Sequence, residues 1–270
     1  MKKIIAIVLV CLGIQFLNAQ SPWTRNSGKT YLQLGFTGLS YDAVQVNNKR
    51  VENFDKINDI TLQLYAEYGI TNNLEAQLII PYKIADIKTP NESESISGVG
   101  NVSLGLKYKL LDKNWKISSG ILFSANSIKI DENKELSTGF NSSTLLPYIT
   151  AGSSYNKWYY FATIGYGYMT NDYSDFFKAG LEVGYNIIPN GHISLVLDTK
   201  NVVSKESAFT DDESQWFSHL DRQQYNAYGV KANYEFTKDK FGANFSFFGA
   251  SNINNAPLAP TFNVGIYSKF

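Results

Sequence analysis

Thr261-Phe262-Asn263-Val264-Gly265-Ile266-Tyr267-Ser268-Lys269-Phe270 closes the chain. Its apolar and polar side chains alternate up to the carboxyl terminus, the period of a strand with two unlike faces. At the other end Met1-Lys2-Lys3 leads into the apolar stretch Ile4–Leu17, followed by Asn18-Ala19-Gln20. A basic start, a short apolar core and a small residue form the layout of a cleaved secretory signal. The stretch is too short to cross a ~30 Å hydrocarbon core as a helix. Cleavage is expected after Ala19, so that 1–19 is the signal and 20–270 the mature barrel; the bulky Leu17 leaves a shift of one residue open. An exported chain that closes on an alternating strand with a terminal aromatic points to an outer-membrane β-barrel rather than a soluble enzyme.

Composition agrees. Cys11 lies inside the apolar stretch behind the bulky Val10, which argues against lipid attachment, and no cysteine follows it. Neither disulfides nor thiolate metal ligands are expected in the mature chain. Basic and acidic residues number 24 each, and loss of Lys2 and Lys3 leaves a net charge near −2. Nucleic-acid binders normally carry a basic excess, so no nucleic-acid partner is expected. No apolar stretch after residue 20 reaches the ~18 residues of a membrane helix. The 17 Phe, 18 Tyr and 4 Trp are many for a globular domain and suit a protein that rings the membrane interface with aromatics.

Period-two runs bounded by Asn, Asp, Gly and Pro predict twelve strands, near 29–41, 57–70, 74–87, 99–111, 115–129, 144–155, 158–171, 176–188, 192–204, 223–237, 241–250 and 260–270. Each is long enough for a tilted membrane strand of ~9–11 residues. The connections alternate. Tight turns fall at Thr71-Asn72-Asn73, Asp112-Lys113-Asn114, Asn156-Lys157, Pro189-Asn190-Gly191 and Lys238-Asp239-Lys240, and loops at 42–56, 88–98, 130–143, 172–175, 205–222 and 251–259. An even strand count puts both termini on one side, which short periplasmic turns make the periplasm. On the second strand Ile60, Leu62, Leu64, Ala66 and Tyr68 share the lipid face and Thr61, Gln63, Tyr65 and Glu67 the lumen face. The fourth opposes Val102, Leu104, Leu106, Tyr108 and Leu110 to Ser103, Gly105, Lys107 and Lys109. Aromatics are expected to form two girdles: Tyr68, Tyr108, Trp115, Tyr155, Trp158, Tyr185, Tyr234, Phe236, Phe241 and Phe270 beside the short turns, and Tyr41, Tyr168, Tyr173, Phe176, Tyr225 and Phe248 nearer the long loops.

Three stretches carry a family likeness: Tyr68-Gly69-Ile70-Thr71-Asn72-Asn73-Leu74, the following Pro81-Tyr82, and Ser97-Gly98-Val99-Gly100-Asn101-Val102-Ser103-Leu104-Gly105-Leu106-Lys107-Tyr108-Lys109-Leu110-Leu111. Together they resemble the outer-membrane barrels named for a meta-pathway of phenol degradation, often labelled transporters. Pro22-Trp23-Thr24 followed by Gly28-Lys29-Thr30-Tyr31 is similar to that group as well. The likeness implies the barrel and passage of small compounds, aromatic or hydrophobic ones among them, but no residue-level site. Where the family usually has Gly-x-Gly-Asp, this chain has Gly98-Val99-Gly100-Asn101, so no charged role is carried over to Asn101.

Lumen-facing charges are mixed: Asp59, Glu67, Glu75, Lys83, Lys107, Lys109, Lys116, Lys178, Glu182, Asp198, Lys200, Lys231 and Glu235. In a narrow barrel they are expected to form ion pairs across the lumen, because unpaired buried charge is costly. They either tune a polar conduit or form a salt-bridged plug. Twelve strands lie between the ~8 whose bore side chains fill and the 16–18 that leave a wide channel. His192-Ile193-Ser194 places histidine and serine on one strand face, as a phospholipase barrel would need, but beside a tight turn at the periplasmic rim; no enzyme is expected. His219 in the 205–222 loop lies near Asp211, Asp212, Glu213 and Asp221, which read as a solvated acidic surface before a divalent site, so no metal is expected. Trp216-Phe217 of the same loop grips a ligand, folds in as a lid or rests on headgroups, and with His219 forms a candidate contact set. No phosphate-binding loop, dinucleotide fingerprint or zinc motif is present, so no cofactor is expected.

The sequence thus predicts a single-domain, monomeric outer-membrane barrel passing small solutes passively. A non-transporting structural or adhesive barrel is the rival reading, an outer-membrane hydrolase the third. Its expected partners are membrane lipid and lipopolysaccharide, the solute, and the barrel-insertion machinery, which would read Phe270. Ser268 occupies the place where such a signal usually has a second aromatic.

Overall fold

Side chains that alternate between apolar and polar bury one face of a pleated strand and leave the other to a different medium. In the computed structural model, which describes residues 20–46, 49–88, 93–131, 136–203 and 219–270, these runs form strands. In chain order they are β1 Thr30–Val46, β2 Lys49–Gly69, β3 Leu74–Lys88, β4 Ser93–Val99, β5 Ser103–Asp112, β6 Trp115–Ser124, β7 Ile130–Asp131, β8 Leu136–Ser137, β9 Thr144–Tyr155, β10 Trp158–Met169, β11 Phe176–Ile188, β12 Gly191–Val202, β13 Gln224–Thr237, β14 Phe241–Asn254, β15 Ala256–Pro257 and β16 Thr261–Lys269. Among the described residues no helix is long and apolar enough to cross a membrane.

Twelve of these strands (β1, β2, β3, β5, β6, β9 to β14 and β16) pair antiparallel, each with its next neighbour. β1 then closes the ring by pairing with β2 on one side and β16 on the other, in a register running from Tyr31↔Lys269 to Gly38↔Phe262. The Thr30 and Phe270 backbones exchange hydrogen bonds of 3.2 and 2.9 Å at the seam. The result is a closed, up-and-down β-barrel with no free edge. Both ends of the barrel sequence lie at the rim of the tight turns. Those turns fall where the Asn, Asp and Gly clusters predict them, and Asn156 and Asp239 adopt the positive φ that such turns favour.

The opposite rim departs from expectation. Within 42–56, expected to be a loop, residues 42–46 and 49–56 instead prolong β1 and β2 as a paired ribbon with an irregularity between Tyr41 and Ala43. Within the expected 88–98 loop, β4 runs back along the upper part of β3, and the expected 99–111 strand breaks at residues 100–102 before β5 begins. The Gly100 N–H donates to the Pro81 carbonyl there (2.8 Å). β6 stops at Ser124, short of the expected 129. The polar composition of these segments suggests loops, but a ladder of backbone hydrogen bonds needs no apolar face once a neighbouring strand is in reach.

Outward-facing side chains are apolar along the middle of the wall, including Leu34, Leu62, Leu104, Leu181, Leu195 and Ile266. The girdle beside the tight turns faces outward as expected, with Tyr68, Tyr108, Trp115, Tyr155, Trp158, Tyr234, Phe236, Phe241 and Phe270 exposed and Tyr185 half-buried. The second girdle is corrected. Of its six members only Tyr168 is exposed, while Tyr41, Phe176, Tyr225 and Phe248 are buried inside. Tyr41, Phe176 and Tyr225 join small apolar clusters, such as Leu39, Tyr41, Val44, Ile57 and Ala259, in the upper barrel, and Phe248 lines the larger cavity. The outer wall at that height is supplied instead by Tyr82, Phe123, Phe177 and Tyr228.

Leu34 is 58% exposed in the middle of the apolar belt. Leu34→Arg is expected to lower unfolding stability in lipid vesicles by about 2–4 kcal/mol. Gln33→Arg, one residue away on the lumen face, should change it by less than about 1 kcal/mol. Urea midpoints followed by tryptophan fluorescence measure both.

Candidate functional site

Of the expected lumen charges, Glu67, Lys178, Glu182, Asp198, Lys231, Glu235, Asp59, Lys83 and Lys200 line inner cavities, and their pairing differs from the expectation. Lys107 meets Glu75 on the neighbouring strand (2.9 Å), Lys83 meets Asp59 (2.6 Å), and Lys178 meets Asp198 (3.2 Å). Lys231 reaches Glu182 (2.8 Å) and Lys269 reaches Glu235, each skipping one strand. Lys109 and Lys116 share Asp112 at the tight-turn rim. The pairs run along the wall rather than across the lumen, because same-face partners on adjacent strands are ~5 Å apart at Cβ. Lys107 and Glu75 are completely buried, with side-chain exposures of 0%.

A segment of the chain itself crosses the lumen. Residues 20–28 fold inside the barrel before β1. Lys107 donates to the Ser21 and Trp23 carbonyls (3.3 and 2.9 Å), Ser118 to the Pro22 carbonyl (2.7 Å) and Thr163 to the Gln20 carbonyl (3.1 Å). Arg25 pairs with Glu67 (2.6 Å), donates its backbone N–H to Glu75 (2.7 Å) and covers the Tyr31 ring. Trp23 sets its ring edge-on to Tyr159 and Phe161. Two glycines let the chain leave this segment for the wall. Gly28 has φ +76°, and a Cβ on Gly69 would lie 2.0 Å from the Asn26 carbonyl oxygen. The sequence signal for the segment was present in Pro22-Trp23-Thr24-Arg25, where an aromatic and a cation stand outside any alternating run.

The segment leans on β2, β3, β5, β6 and β10 and leaves a cavity of about 650 Å³ along β11 to β14, β16 and β1. That wall carries the paired charges Lys178–Asp198, Lys231–Glu182 and Lys269–Glu235, and its neutral side chains are hydrogen-bonded to one another. Thr37 donates to Asn263 (2.5 Å), Asn263 to Ser246 (3.1 Å), Asn244 to Gln33 (3.0 Å) and Tyr31 to Gln33 (2.6 Å). A second cavity of about 180 Å³ lies toward the long-loop end, and Thr37, Gln63, Leu146 and Lys178 line both.

At the long-loop end, His219 is buried against β3 and the β7–β8 ribbon. Its Nε2 lies 3.2 Å from Lys83 Nζ and its Nδ1 3.1 Å from Ser137 Oγ. An ammonium only donates, so this network assigns the ring proton to Nδ1, which donates to Ser137; Ser137 in turn donates to the Gly139 carbonyl (2.9 Å). Burial first, then the Lys83 and Lys200 ammonium groups, hold the imidazole well below its ordinary pKa. Nearby, Asp221 accepts from the Ser174 backbone N–H (2.7 Å) and hydroxyl (3.2 Å). Asn101 fastens the same end. Its amide donates to the Ala125, Phe140 and Ser142 carbonyls, which a carboxylate could not do, and its oxygen accepts from the Phe140 N–H. Trp216, Phe217, Asp211, Asp212 and Glu213 lie outside the described residues.

His192 and Ser194 share the inner face without bonding each other. Ser194 donates to Glu182 (2.9 Å), which also accepts from Tyr159 (2.8 Å), and the His192 ring packs edge-on to Tyr159.

A closed twelve-stranded barrel, apolar outside and polar within, defines a β-barrel protein of the outer membrane. The chain belongs to the family described as "Putative MetA-pathway of phenol degradation", whose model matches residues 25–255. Its fold is similar to the COG4313 outer membrane channel from Pseudomonas putida F1, with TM-score 0.75 and 16% identity over 94% of this chain and 100% of that one. It is also similar to the KdgM porin (TM-score 0.51, 8% identity, 88% and 99% covered). A third similar structure is the translocator domain of the autotransporter NalP from Neisseria meningitidis (TM-score 0.50, 8% identity, 91% and 89% covered). No curated protein matches the chain.

Lys107→Met leaves Glu75 without its ammonium and frees two carbonyls of the segment. A loss of about 3–5 kcal/mol in unfolding stability is expected, with Glu75→Leu/Lys107→Met recovering part of it. A double-mutant cycle of urea midpoints tests this. His219 sets a pH dependence of known sign. The docked ring binds its proton more weakly than a released one, so docking is at full strength above about pH 6.5 and weakens as pH falls below it, by up to about 1.4 kcal/mol per pH unit. Amide exchange at residues 219–223, corrected for intrinsic rates, should quicken on going from about pH 7.5 to about pH 5. His219→Gln should flatten that change.

Proposed function

We propose that this protein is a non-enzymatic outer-membrane channel through which small solutes pass passively, aromatic or hydrophobic ones among them. One observation carries the reading: the lumen beside the inner segment holds a 650 Å³ cavity whose lining continues into the second cavity. Pockets of this size, with rings and a few placed polar groups, suit small organic ligands. Tyr31, Tyr159, Phe161 and Tyr267 offer ring faces and edges, and Gln33, Gln63, Asn244 and Asn263 offer amides. The lining charges Glu67, Lys178, Glu182, Asp198, Lys231 and Glu235 then bias which solutes enter.

Further parts of the proposal are that residues 1–19 are a cleaved signal, that both termini are periplasmic, and that Phe270 is read by the insertion machinery. The barrel would act as a monomer in lipid and lipopolysaccharide. A hydrolase is disfavoured because the Ser194 hydroxyl is engaged by Glu182 rather than by His192. A non-transporting barrel is the second reading, favoured by the segment of residues 20–28 that lies inside the bore.

Reconstitution decides between them. Discrete conductance in planar bilayers and swelling of liposomes in small neutral solutes are expected from the full-length mature protein. Arg25→Ala, which removes the Glu67 contact, should raise conductance. Absence of both conductance and flux, in the parent and in this variant, would sink the channel reading.

A further inference from the structure

Lys200 stands apart from every other cation of the inner wall. It lies on β12, directly opposite Lys178 of β11 and Tyr225 of β13, and is 9% exposed. Lys178 has Asp198, Lys83 has Asp59 and Lys231 has Glu182. Among the described residues Lys200 has neither a carboxylate in salt-bridge reach nor a hydrogen-bond acceptor. Its ammonium lies over the Phe176 ring at 4.5 Å and the Phe140 ring at 5.1 Å. The rings fix its position but carry no net charge to offset it. A buried ammonium without a counter-ion is costly, and such groups concentrate at ligand sites.

The space it faces is the 180 Å³ cavity near the long-loop end. Ile79, Leu122, Leu146, Met169 and Phe176 give that cavity an apolar floor. A dry cavity of about 150 Å³ accepts benzene, so this one holds a single substituted ring. Among the described residues Asp59, Asp198 and Asp221 have Lys83, Lys178 and Arg222 as partners, and His219 is neutral, so the charge left over is that of Lys200.

We propose that this cavity is a binding site for an organic monoanion with one apolar ring, a carboxylate of the benzoate class, recognised by Lys200. The carboxylate accepts from the ammonium while the ring rests on Leu122, Leu146 and Met169. The site rests on the channel reading for how the ligand arrives, and not for how it binds.

Isothermal titration calorimetry on the full-length mature protein in micelles tests it with benzoate, neutral benzamide and ring-free acetate. Benzoate should bind at least about tenfold more tightly than either. Lys200→Met should weaken benzoate by about tenfold or more and leave benzamide unchanged, while Lys200→Arg keeps most of the affinity. Removing an unmatched buried charge should not lower the urea midpoint, which separates loss of binding from loss of fold. Equal affinities for benzoate and benzamide, no benzoate binding, or an unaffected Lys200→Met variant would overturn the site. Exchanging Glu206, Asp211, Asp212 and Glu213 together for their amides should leave benzoate affinity as it was. A gain of about tenfold would mean that a carboxylate of the chain already holds Lys200, which also overturns it. Liposome flux of a neutral solute through the same proteins tests the channel separately: flux lost with benzoate binding kept fails the channel and supports the site.

Discussion

Hydrocarbon offers no partner to a peptide N–H or carbonyl, so each such group in a membrane-crossing strand must bond within the chain. A sheet meets that demand only by closing on itself, and here closure depends on β1 and β16. Their eight paired positions, from Tyr31↔Lys269 to Gly38↔Phe262, remove the two edges that a twelve-stranded meander would otherwise expose. Closure also fixes parity. Once Gly265 is set opposite Gly35, Val264 and Ile266 must face lipid and Asn263 and Tyr267 the lumen. The division between an apolar exterior and a polar interior follows from that one register.

The polar interior then raises its own difficulty. Charge brought into a narrow bore loses water and must be compensated by the protein. Strand neighbours supply most of that compensation, because same-face partners on adjacent strands are within reach while opposite walls are not. Glu67 and Lys107 need more than the wall provides. Arg25 supplies a second cation to the Glu67–Glu75–Lys107 group, and the Ser21 and Trp23 carbonyls take the remaining Lys107 donors. The inner segment is therefore held by groups that would be poorly satisfied without it, and a pair such as Lys107–Glu75 would be hard to keep fully buried if the segment left.

Much of this was legible in the sequence, and the limits are physical. Twelve period-two runs with turn residues between them give the barrel, its strand count and its tight-turn rim. The inward faces of Thr61, Tyr65, Glu67, Lys107 and Glu182 follow from parity alone. The long-loop rim did not follow. Residues 42–56 and 88–98 read as loops because they are polar, yet most of 42–46, 49–56 and 93–98 pair through their backbones, to which composition is indifferent. Tyr41, Phe176, Tyr225 and Phe248 read as girdle members because aromatics favour interfaces, whereas apolar clusters of the upper lumen take the first three inward and Phe248 lines the larger cavity. Placing residues 20–28 inside the bore required knowing which carbonyls Lys107 and Ser118 would meet, and that depends on contacts more than 80 residues apart in sequence. Trp23 and Arg25 marked the segment as unusual without saying where it goes.

The position of that segment determines what a solute would encounter. Pressed against β2, β3, β5, β6 and β10, it covers the buried Glu75–Lys107 pair and leaves β11 to β14, β16 and β1, with parts of β2, β9 and β10, to line the open space. Along that side the self-bonded row of Tyr31, Gln33, Asn244, Thr37, Asn263 and Ser246 presents neutral donors and acceptors whose hydrogen bonds are already made. A passing molecule need not displace tightly held water from bare charges there. The charges it would meet there are paired, Lys178 with Asp198 and Lys231 with Glu182, whereas in the upper cavity Lys200 has, among the described residues, no carboxylate partner. Because the segment rather than the strand count sets the free width, a change in one wall residue alters a single contact, whereas a shift of residues 20–28 alters the bore along its length. In the proposed channel, selectivity would thus be governed by a short stretch of chain that belongs to no strand.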